Sequence, residues 1–165
     1  MNKATKISLQ RLTCTGISLE DAEDIVCWRS NKQLIKYFRD PQPLTMEKHM
    51  VWFQNYLENP DRYDFIIHCK ADNAKIGVLS LSGIWDEKGA EIGYMIASQT
   101  HQRQGFAKES IAGLIEFAQR EFGIRKFCTE IHSENFPSIQ TVLRLGFIKT
   151  EKADGMFECY TCELK

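Results

Sequence analysis

The segment Gln102-Arg103-Gln104-Gly105-Phe106-Ala107 has residue types and spacing suited to binding a phosphate. It lies between a predicted strand and a strongly periodic helix, where successive backbone N–H groups and the positive helix end can hold an anion. Gly105 would let the backbone approach such a ligand closely. The segment has neither the G-x-G-x-x-G pattern of dinucleotide-binding folds nor the Lys-Ser/Thr ending of a P-loop. A surface loop with a glycine turn is the other structure that this segment allows.

The elements around this segment follow from hydrophobic periodicity, which predicts the order β, α, α, α, β, β, β, α, β, α, β, β. Three strands form an antiparallel meander whose turns, at 71–74 and 86–89, are rich in turn residues. In the third helix Met46, Met50, Phe53 and Leu57 form one apolar stripe, with His49, Trp52 and Tyr56 on an adjacent one. The predicted strands cover residues 7–12, 63–70, 76–84, 90–97, 127–131, 147–152 and 156–163.

Composition limits the class of protein. The 165 residues carry 21 Lys and Arg against 22 Asp and Glu, a net charge of -1 that offers nucleic acid or a membrane surface no basic field. With 43% hydrophobic residues and no apolar run long enough to span a membrane, we expect one soluble, cytoplasmic α/β domain over residues 1–165. The six cysteines are scattered, as in a protein with reduced thiols. Cys159 and Cys162 lie on one strand with no second ligand pair, so the sequence predicts no metal site.

Several short motifs together resemble one enzyme superfamily. The strand Glu91-Ile92-Gly93-Tyr94-Met95-Ile96, the loop Gln102-x-x-Gly105-x-Ala107, and then Asn135-x-x-Ser138 and Leu145-Gly146-Phe147 resemble the acetyl-CoA-binding half of the GNAT acetyltransferases in order and spacing. The likeness covers roughly residues 5–163. It implies the GNAT fold, a mixed, mostly antiparallel sheet of about seven strands with helices on both faces and a cofactor cleft between two splayed strands.

The likeness also points to a branch of that superfamily. The Glu-Ile-Gly-Tyr strand and Trp28-Arg29-Ser30-Asn31 resemble the Rim-like branch, which contains ribosomal-protein N-terminal acetyltransferases and nucleotide-amino-sugar N-acetyltransferases. The segment His49-Met50-Val51-Trp52-Phe53 is closer to the sugar members. Acetyl-CoA is therefore the expected cosubstrate, and its pyrophosphate is expected on Gln102, Arg103, Gln104, Gly105, Phe106, Ala107 and Lys108. The resemblance further implies that main-chain groups of Met95 and Ile96 contact the pantetheine, with Asn135 and Ser138 beside the pantetheine and sulfur.

Acetyl transfer to an amine requires proton movements. An alkyl amine with a pKa near 10.4 is mostly ammonium at pH 7, so a base or a water chain must remove a proton. Glu91 is the first candidate base, because family members often place an acidic base on this strand, and His49 is the second. A structural carboxylate and a buried, hydrogen-bonded histidine are the alternatives. Val142 stands where many GNAT enzymes carry a tyrosine that protonates the leaving thiolate, so Ser138 is the nearest hydroxyl that could substitute.

The sequence indicates the acceptor less closely than it indicates the cosubstrate. Trp28, Arg29, Trp52 and Tyr56 are candidate acceptor-binding residues, although aromatic residues are more often core or cleft wall. We expect direct attack of a primary amine on acetyl-CoA without a metal, with a nucleotide-linked amino sugar as acceptor. A protein N-terminus, or a noncatalytic acyl-CoA-binding module, are the alternatives. No nucleic-acid or membrane partner is expected, and the assembly is left open between a monomer and a homodimer.

Overall fold

The described part of the chain folds around one eight-stranded sheet with five α-helices. The computed structural model describes residues 3–86 and 89–165, including every side chain in these ranges except those of residues 151–153. The turn predicted over residues 86–89 includes Glu87 and Lys88, which lie outside the described residues. The strands are β1 (Lys6–Ser8), β2 (Leu12–Gly16), β3 (Arg62–Cys69), β4 (Lys75–Ser82), β5 (Ala90–Ile96), β6 (Lys126–His132), β7 (Ile148–Asp154) and β8 (Phe157–Glu163). The helices are α1 (Ala22–Ser30), α2 (Lys32–Ile35), α3 (Met46–Glu58), α4 (Phe106–Phe122) and α5 (Phe136–Leu143).

The strand order is β1-β2-β3-β4-β5-β6-β8-β7. Every neighbouring pair is antiparallel except β5 and β6, which run parallel. These two strands pair at only two positions, Ala90 with Phe127 and Glu91 with Cys128. Beyond Glu91 they separate, and this confirms the predicted splay in a mostly antiparallel sheet.

The number of strands departs from the expectation of about seven. Residues 7–12 were predicted to form one strand, but they contain the end of β1, a turn and the start of β2. The turn is closed by the Leu9 N–H, which donates a hydrogen bond of 2.9 Å to the Leu12 carbonyl. Leu9 leaves the strand alternation because it packs on α4, where a Cβ added to Gly113 would lie 2.3 Å from a Leu9 methyl group. The apolar residue at position 9 therefore packs on a helix about one hundred residues further along the chain. Its spacing from Ile7 only resembles the alternation of a longer strand.

Both faces of the sheet are covered by helices, as predicted. Consecutive side chains of a strand point to opposite faces, and Phe65, Ile66 and Ile67 of β3 are all fully buried. Phe65 and Ile67 belong to the core shared with α4, which includes Ile111 and Leu114. Ile66 belongs to a second core with residues of α1 and α3. Within the described ranges, the structure contains no helix with the length and apolar character of a membrane span.

Candidate active site

A cavity of about 600 Å³ opens where β5 and β6 separate. Its walls come from the inner strands, from α1 and α3, from the segment after α2 and from the start of α5. Seven side chains predicted from the sequence line it, namely Arg29, His49, Trp52, Glu91, Met95, Asn135 and Ser138. Residues that the sequence did not single out line it too, including Tyr37, Phe38, Arg39, Arg62, Asp64, Tyr94, Glu130, His132 and Phe157.

Glu91 lies on the cavity wall at the last position where β5 pairs with β6. Desolvation raises the pKa of its carboxyl group above the ordinary value, and the nearby Glu130 carboxylate raises it further. The guanidinium groups of Arg62 and Arg39 act in the opposite direction but do not cancel the increase. A carboxylate with a raised pKa is a stronger base, so the surroundings of Glu91 suit proton removal from an amine.

Two arginines of the same cavity wall form ion pairs. Arg62 binds the Asp64 carboxylate through two hydrogen bonds of 2.6 and 3.0 Å. Arg39 donates hydrogen bonds of 2.9 Å to Glu130 and to Asp154. Asp64 and Glu130 therefore present charges that arginines already neutralise, which leaves Glu91 as the acidic group of the wall without an ion pair among the described residues.

His49 is buried in the wall on α3, only 1% exposed. Its Nε2 atom has no hydrogen-bond partner among the described residues, and its ring lies 5.5 Å from that of Trp52, centroid to centroid. Burial lowers the pKa of His49, so the imidazole is neutral at pH 7. The burial of His49 agrees with the core histidine considered above, but Nε2 accepts or donates no hydrogen bond among the described residues.

The predicted stripe on α3 needs correction. The buried residues of the helix are His49, Phe53 and Tyr56, whereas Met46 and Leu57 of the predicted apolar stripe are 39% and 51% exposed. The buried side of α3 therefore lies nearer to the stripe of His49, Trp52 and Tyr56 than the prediction placed it. Tyr56, expected at the cleft, is buried in the second core instead, whereas His49 is buried and also lines the cavity.

Two of the predicted acceptor-binding aromatics are outside the cavity wall. The Tyr56 hydroxyl is satisfied inside the second core, where it accepts a hydrogen bond of 3.2 Å from the Asp64 N–H and donates one of 3.4 Å to the Asp64 carbonyl. Trp28 packs against the same core. Trp52 does line the cavity, with its ring stacked on Tyr56 at 5.3 Å between centroids.

Arg29 lies in the wall with an unsatisfied group. Its guanidinium carbon is 4.8 Å from the centre of the Phe38 ring, and its buried Nε has no partner among the residues described. Burial lowers the pKa of Arg29, which reflects an environment that provides too little compensation for the charge. A cationic side chain with an unmade hydrogen bond favours an anion as its partner.

Residues 102–108 lie beyond the cavity and comprise the end of the loop after β5 and the start of α4. Gly105 has φ +80° and Arg103 has φ +61°, a left-handed conformation that side chains other than glycine disfavour. The backbone N–H groups of residues 103–107 donate to no other residue within the described part of the chain. They are therefore available to an anion at the N-terminal end of the 17-residue helix α4.

Arg11, in the turn between β1 and β2, holds this loop in place. It donates to the Gln104 carbonyl at 2.8 Å and to the Glu109 carboxylate at 2.7 Å. Its guanidinium carbon also lies 4.5 Å from the centre of the Phe106 ring. No sequence signal marked Arg11, because its partners are more than ninety residues further along the chain.

The backbone N–H and C=O groups of β5 point alternately toward β4 and toward the gap beside β6. In an antiparallel ladder the polar groups of successive residues alternate between the two sides, and Ala97 N–H bonds to Ile76, at the β4 side. Met95 thus directs its main chain toward β4, so only its side chain contributes to the cavity, contrary to the main-chain contact predicted for it. Tyr94 and Ile96 direct theirs toward the gap, where the Gln102 side chain already donates to the Ile96 carbonyl at 3.0 Å.

Helix α5 brings its first turn to the opposite side of the gap. Asn135 caps the helix by accepting a hydrogen bond of 3.4 Å from the Ser138 N–H. Both residues also line the cavity. Val142 has no hydroxyl group, and its side chain packs in the core with 1% exposure. Ser138 therefore remains the candidate proton donor on α5.

The comparisons with known proteins agree with this architecture. Residues 11–148 match the family model of the acetyltransferase (GNAT) domain. A relative from Bacillus licheniformis, the uncharacterized N-acetyltransferase p20, is 30% identical over 159 residues, which cover 88% of this chain and 87% of the relative.

Two solved structures with less than 25% sequence identity share the fold. RimL, a ribosomal L7/L12 alpha-N-protein acetyltransferase in complex with coenzyme A, has a TM-score of 0.83 and 20% identity, covering 97% of this chain and 98% of that one. Spermidine N-acetyltransferase from Vibrio cholerae, in complex with CoA and spermine, has a TM-score of 0.82 and 17% identity, covering 93% and 95%.

The fold and the opened cleft define an acyltransferase that uses a coenzyme A thioester. This chain belongs to the GNAT family and is an acetyl-CoA-dependent N-acetyltransferase. Family membership favours this enzymatic function over the noncatalytic acyl-CoA-binding module.

Proposed function

We propose that the chain transfers the acetyl group of acetyl-CoA to a primary amine on an anionic small molecule, and that this acceptor is a nucleotide-linked amino sugar. The observation that carries the acceptor class is the Arg29 guanidinium, which lies on the cavity wall with a buried, unpartnered Nε. A phosphate oxygen would complete its hydrogen bonding, because guanidinium groups bind phosphate well.

The residues after β5 suit the cosubstrate. The free backbone N–H groups of residues 103–107 and the left-handed Gly105 form an anion site that fits a pyrophosphate. The side chains of Arg103 and Lys108 add positive charge at the surface of this loop. The gap beside Tyr94 and Ile96 leads from the loop into the cavity, which suits an extended pantetheine chain whose thioester ends near Glu91 and Ser138.

Glu91 is the proposed base. It takes a proton from the acceptor ammonium, directly or through water, and the amine nitrogen then forms a bond to the acetyl carbonyl carbon. A gap-facing backbone N–H of β5, such as that of Tyr94, stabilises the oxygen anion that forms. As the carbon–sulfur bond breaks, the Ser138 hydroxyl gives its proton to the thiolate. Through water, Ser138 regains the second proton that the amine nitrogen loses as it becomes an amide, and Glu91 releases the first proton to solvent. His49 faces the same cavity as a neutral ring, which suits a hydrogen bond to the acceptor better than the role of main base.

The charges of the cavity distinguish among acceptors. A polyamine needs several free carboxylates, but Asp64 and Glu130 are already paired with arginines. Arg29 and Lys48 face the cavity and form no ion pair with another described residue. The unpaired charge is thus mainly cationic, which supports a phosphate-bearing acceptor rather than spermidine or a basic peptide.

Aromatic side chains support the same acceptor class. Tyr37, Phe38, Trp52 and Phe157 line the cavity, and planar rings can pack on a nucleobase or on the apolar face of a sugar. A cavity of about 600 Å³ is in the size range of small-molecule sites. An aromatic wall supports a sugar acceptor, whereas a protein N-terminus would favour a groove rimmed by acidic residues.

The test is thiol release from acetyl-CoA with a panel of amines. The panel contains a nucleotide-linked amino sugar, the same amino sugar without the nucleotide, spermidine and a peptide with a free N-terminus. We expect the highest kcat/KM with the nucleotide-linked sugar and a large loss without the nucleotide. Higher kcat/KM with spermidine or the peptide would refute the proposed acceptor, and CoA binding without turnover on any amine would refute acetyl transfer to this class of amines.

A further inference from the structure

Three potential metal ligands meet at the outer end of the loop that holds residues 102–108. Cys69 ends β3, Asp72 lies in the turn between β3 and β4, and His101 ends the short 3₁₀ turn Gln99–His101. One ligand atom from each of these residues lies within 4.8 Å of the other two. His101 Nε2 and Asp72 Oδ2 are 2.9 Å apart. None of the three residues lines the cavity described above.

We propose that Cys69, Asp72 and His101 bind a Zn²⁺ ion that joins the β3–β4 turn to the cofactor loop. A thiolate, an imidazole and a carboxylate form a mixed set of ligands that suits zinc, whose sites combine sulfur, nitrogen and oxygen donors. Three protein ligands leave a fourth tetrahedral position for water. The ligand atoms lie within 4.8 Å of one another, whereas neighbouring ligands of a tetrahedral zinc ion are roughly 3.3–3.7 Å apart, so side-chain rotations have to bring them onto the ion.

The surroundings of the ligands orient them for this role. His101 Nδ1 lies 2.7 Å from Ser98 Oγ and 3.1 Å from Thr100 Oγ1, so hydrogen bonding occupies Nδ1 and leaves Nε2 facing the cluster. The Asp72 Oδ1 atom accepts a hydrogen bond of 3.1 Å from the Ala74 N–H, which leaves Oδ2 for the ion. Outer hydrogen bonds of this kind fix the tautomer and direction of metal ligands.

The position gives the ion a structural role. The His101 ring lies 5.9 Å from the ring of Phe106, the first residue of α4, and the loop with the free N–H groups follows directly after His101. An ion at this position would restrain the start of that loop against the hairpin. Because the ion would bind the native arrangement and not the unfolded chain, its binding stabilises the fold. Cys69 releases its thiol proton to water as it binds the ion.

The test uses the full chain, freed of metal with a chelator and titrated with Co²⁺ as a spectroscopic probe for the zinc site. We expect one Co²⁺ per chain with a thiolate-to-cobalt charge-transfer band, which Zn²⁺ abolishes by displacement. Cys69→Ser should abolish the band. Because loss of an outer-sphere partner alone costs about 10- to 100-fold in affinity, loss of any one ligand should lower zinc affinity by at least about tenfold in calorimetry.

Matched variants separate this site from other thiols and from misfolding. Cys27→Ser, at an exposed cysteine on α1, should retain the band and the zinc affinity. Cys69 is buried, so Asp72→Asn and His101→Gln, at more accessible side chains, test the site without the same risk to folding. Their metal-free melting temperatures report whether they fold. The absence of the band in the wild-type protein, or its persistence in Cys69→Ser, would overturn the proposal, and either result would leave the acetyl-transfer assay unaffected.

Discussion

The Tyr94 hydroxyl donates a hydrogen bond of 3.2 Å to the backbone carbonyl of Ser138. This bond connects β5, which carries Glu91, to the first turn of α5 across the region where β5 and β6 have separated. Burial raises the pKa of Tyr94 to about 12, so the hydroxyl keeps its proton at neutral pH. The bond thereby sets the spacing between the proposed base on one side of the cleft and the proposed acid on the other.

Tyr94→Phe and Ser138→Ala should have different effects. Removal of the Tyr94 hydroxyl leaves a carbonyl without its partner, and we expect a loss of about 1 kcal/mol in the free energy of unfolding. Ser138→Ala keeps the backbone carbonyl and hence that bond, so stability should hold while kcat falls at least about tenfold. Urea unfolding and steady-state kinetics measure both. If Tyr94→Phe instead lowers kcat as much as Ser138→Ala does, with unchanged stability, the tyrosine hydroxyl is the proton donor.

Glu91→Gln should reduce kcat by at least about 100-fold at neutral pH, because the amide cannot take the ammonium proton. The affinity for CoA should stay near that of the wild type, since the proposed pyrophosphate site is in residues 103–107. Part of the activity should return at high pH, where more of the acceptor is already unprotonated. Kinetics across pH and CoA titration by calorimetry check this. Full activity in the variant would mean that Glu91 is not the base, and His49 would then be the next candidate.

The same substitution should increase stability at neutral pH. The folded-state pKa of Glu91 is raised above its ordinary value of 4.5, so the charged form costs stability as pH rises through the folded-state pKa. Glutamine never carries that charge. Glu91→Gln should therefore melt at a higher temperature than the wild type at pH 7, and the difference should shrink as the pH falls below the ordinary value. A lower melting temperature at pH 7 would show that the carboxylate stabilises the fold.

The parts of this fold that depend on local sequence were predictable. The strand that holds Glu91, the loop at Gly105 and helix α4 follow one another along the chain, so periodicity and turn residues identify each of them. The caps are equally local. Asn31 and Thr45 accept hydrogen bonds from the N–H groups of Gln33 and Lys48, which is the N-cap role typical of these residue types directly before a helix.

The residues that were missed depend on contacts between distant segments. Arg39 reaches Glu130 across ninety-one positions, and Arg11 reaches Glu109 across ninety-eight. No short sequence motif indicates an ion pair between such distant residues. The direction of the Met95 main-chain groups could not be predicted from the sequence either, because it depends on which edge of β5 pairs with β4. The Cys69, Asp72 and His101 cluster forms only when a hairpin turn and a separate loop meet.

Gly105→Ala and Gly123→Ala form a matched pair at the two ends of α4. Both glycines have left-handed backbones, with φ of +80° and +71°, so each alanine should cost about 1 kcal/mol in stability. Gly105 lies among the free N–H groups of the loop, whereas nothing lies within 4 Å of a Cβ added at Gly123. Only Gly105→Ala should weaken CoA binding, which calorimetry measures. Equal CoA affinities in the two variants would exclude the loop from the cosubstrate site.

Arg29→Met tests the charge that defines the acceptor. Methionine keeps much of the apolar side chain but removes the guanidinium, and a hydrogen bond to a charged group contributes about 1.5–3 kcal/mol. We therefore expect the KM for the nucleotide-linked amino sugar to increase by about 10- to 100-fold, with CoA affinity unchanged. The melting temperature should not fall, because burial already disfavours this charge in the free protein, as its lowered pKa shows. Arg144→Met, at an exposed arginine after α5, is the control and should leave both constants unchanged. A lower melting temperature with an unchanged acceptor KM would mean that Arg29 serves to pack against Phe38, and the acceptor would then need no anionic group.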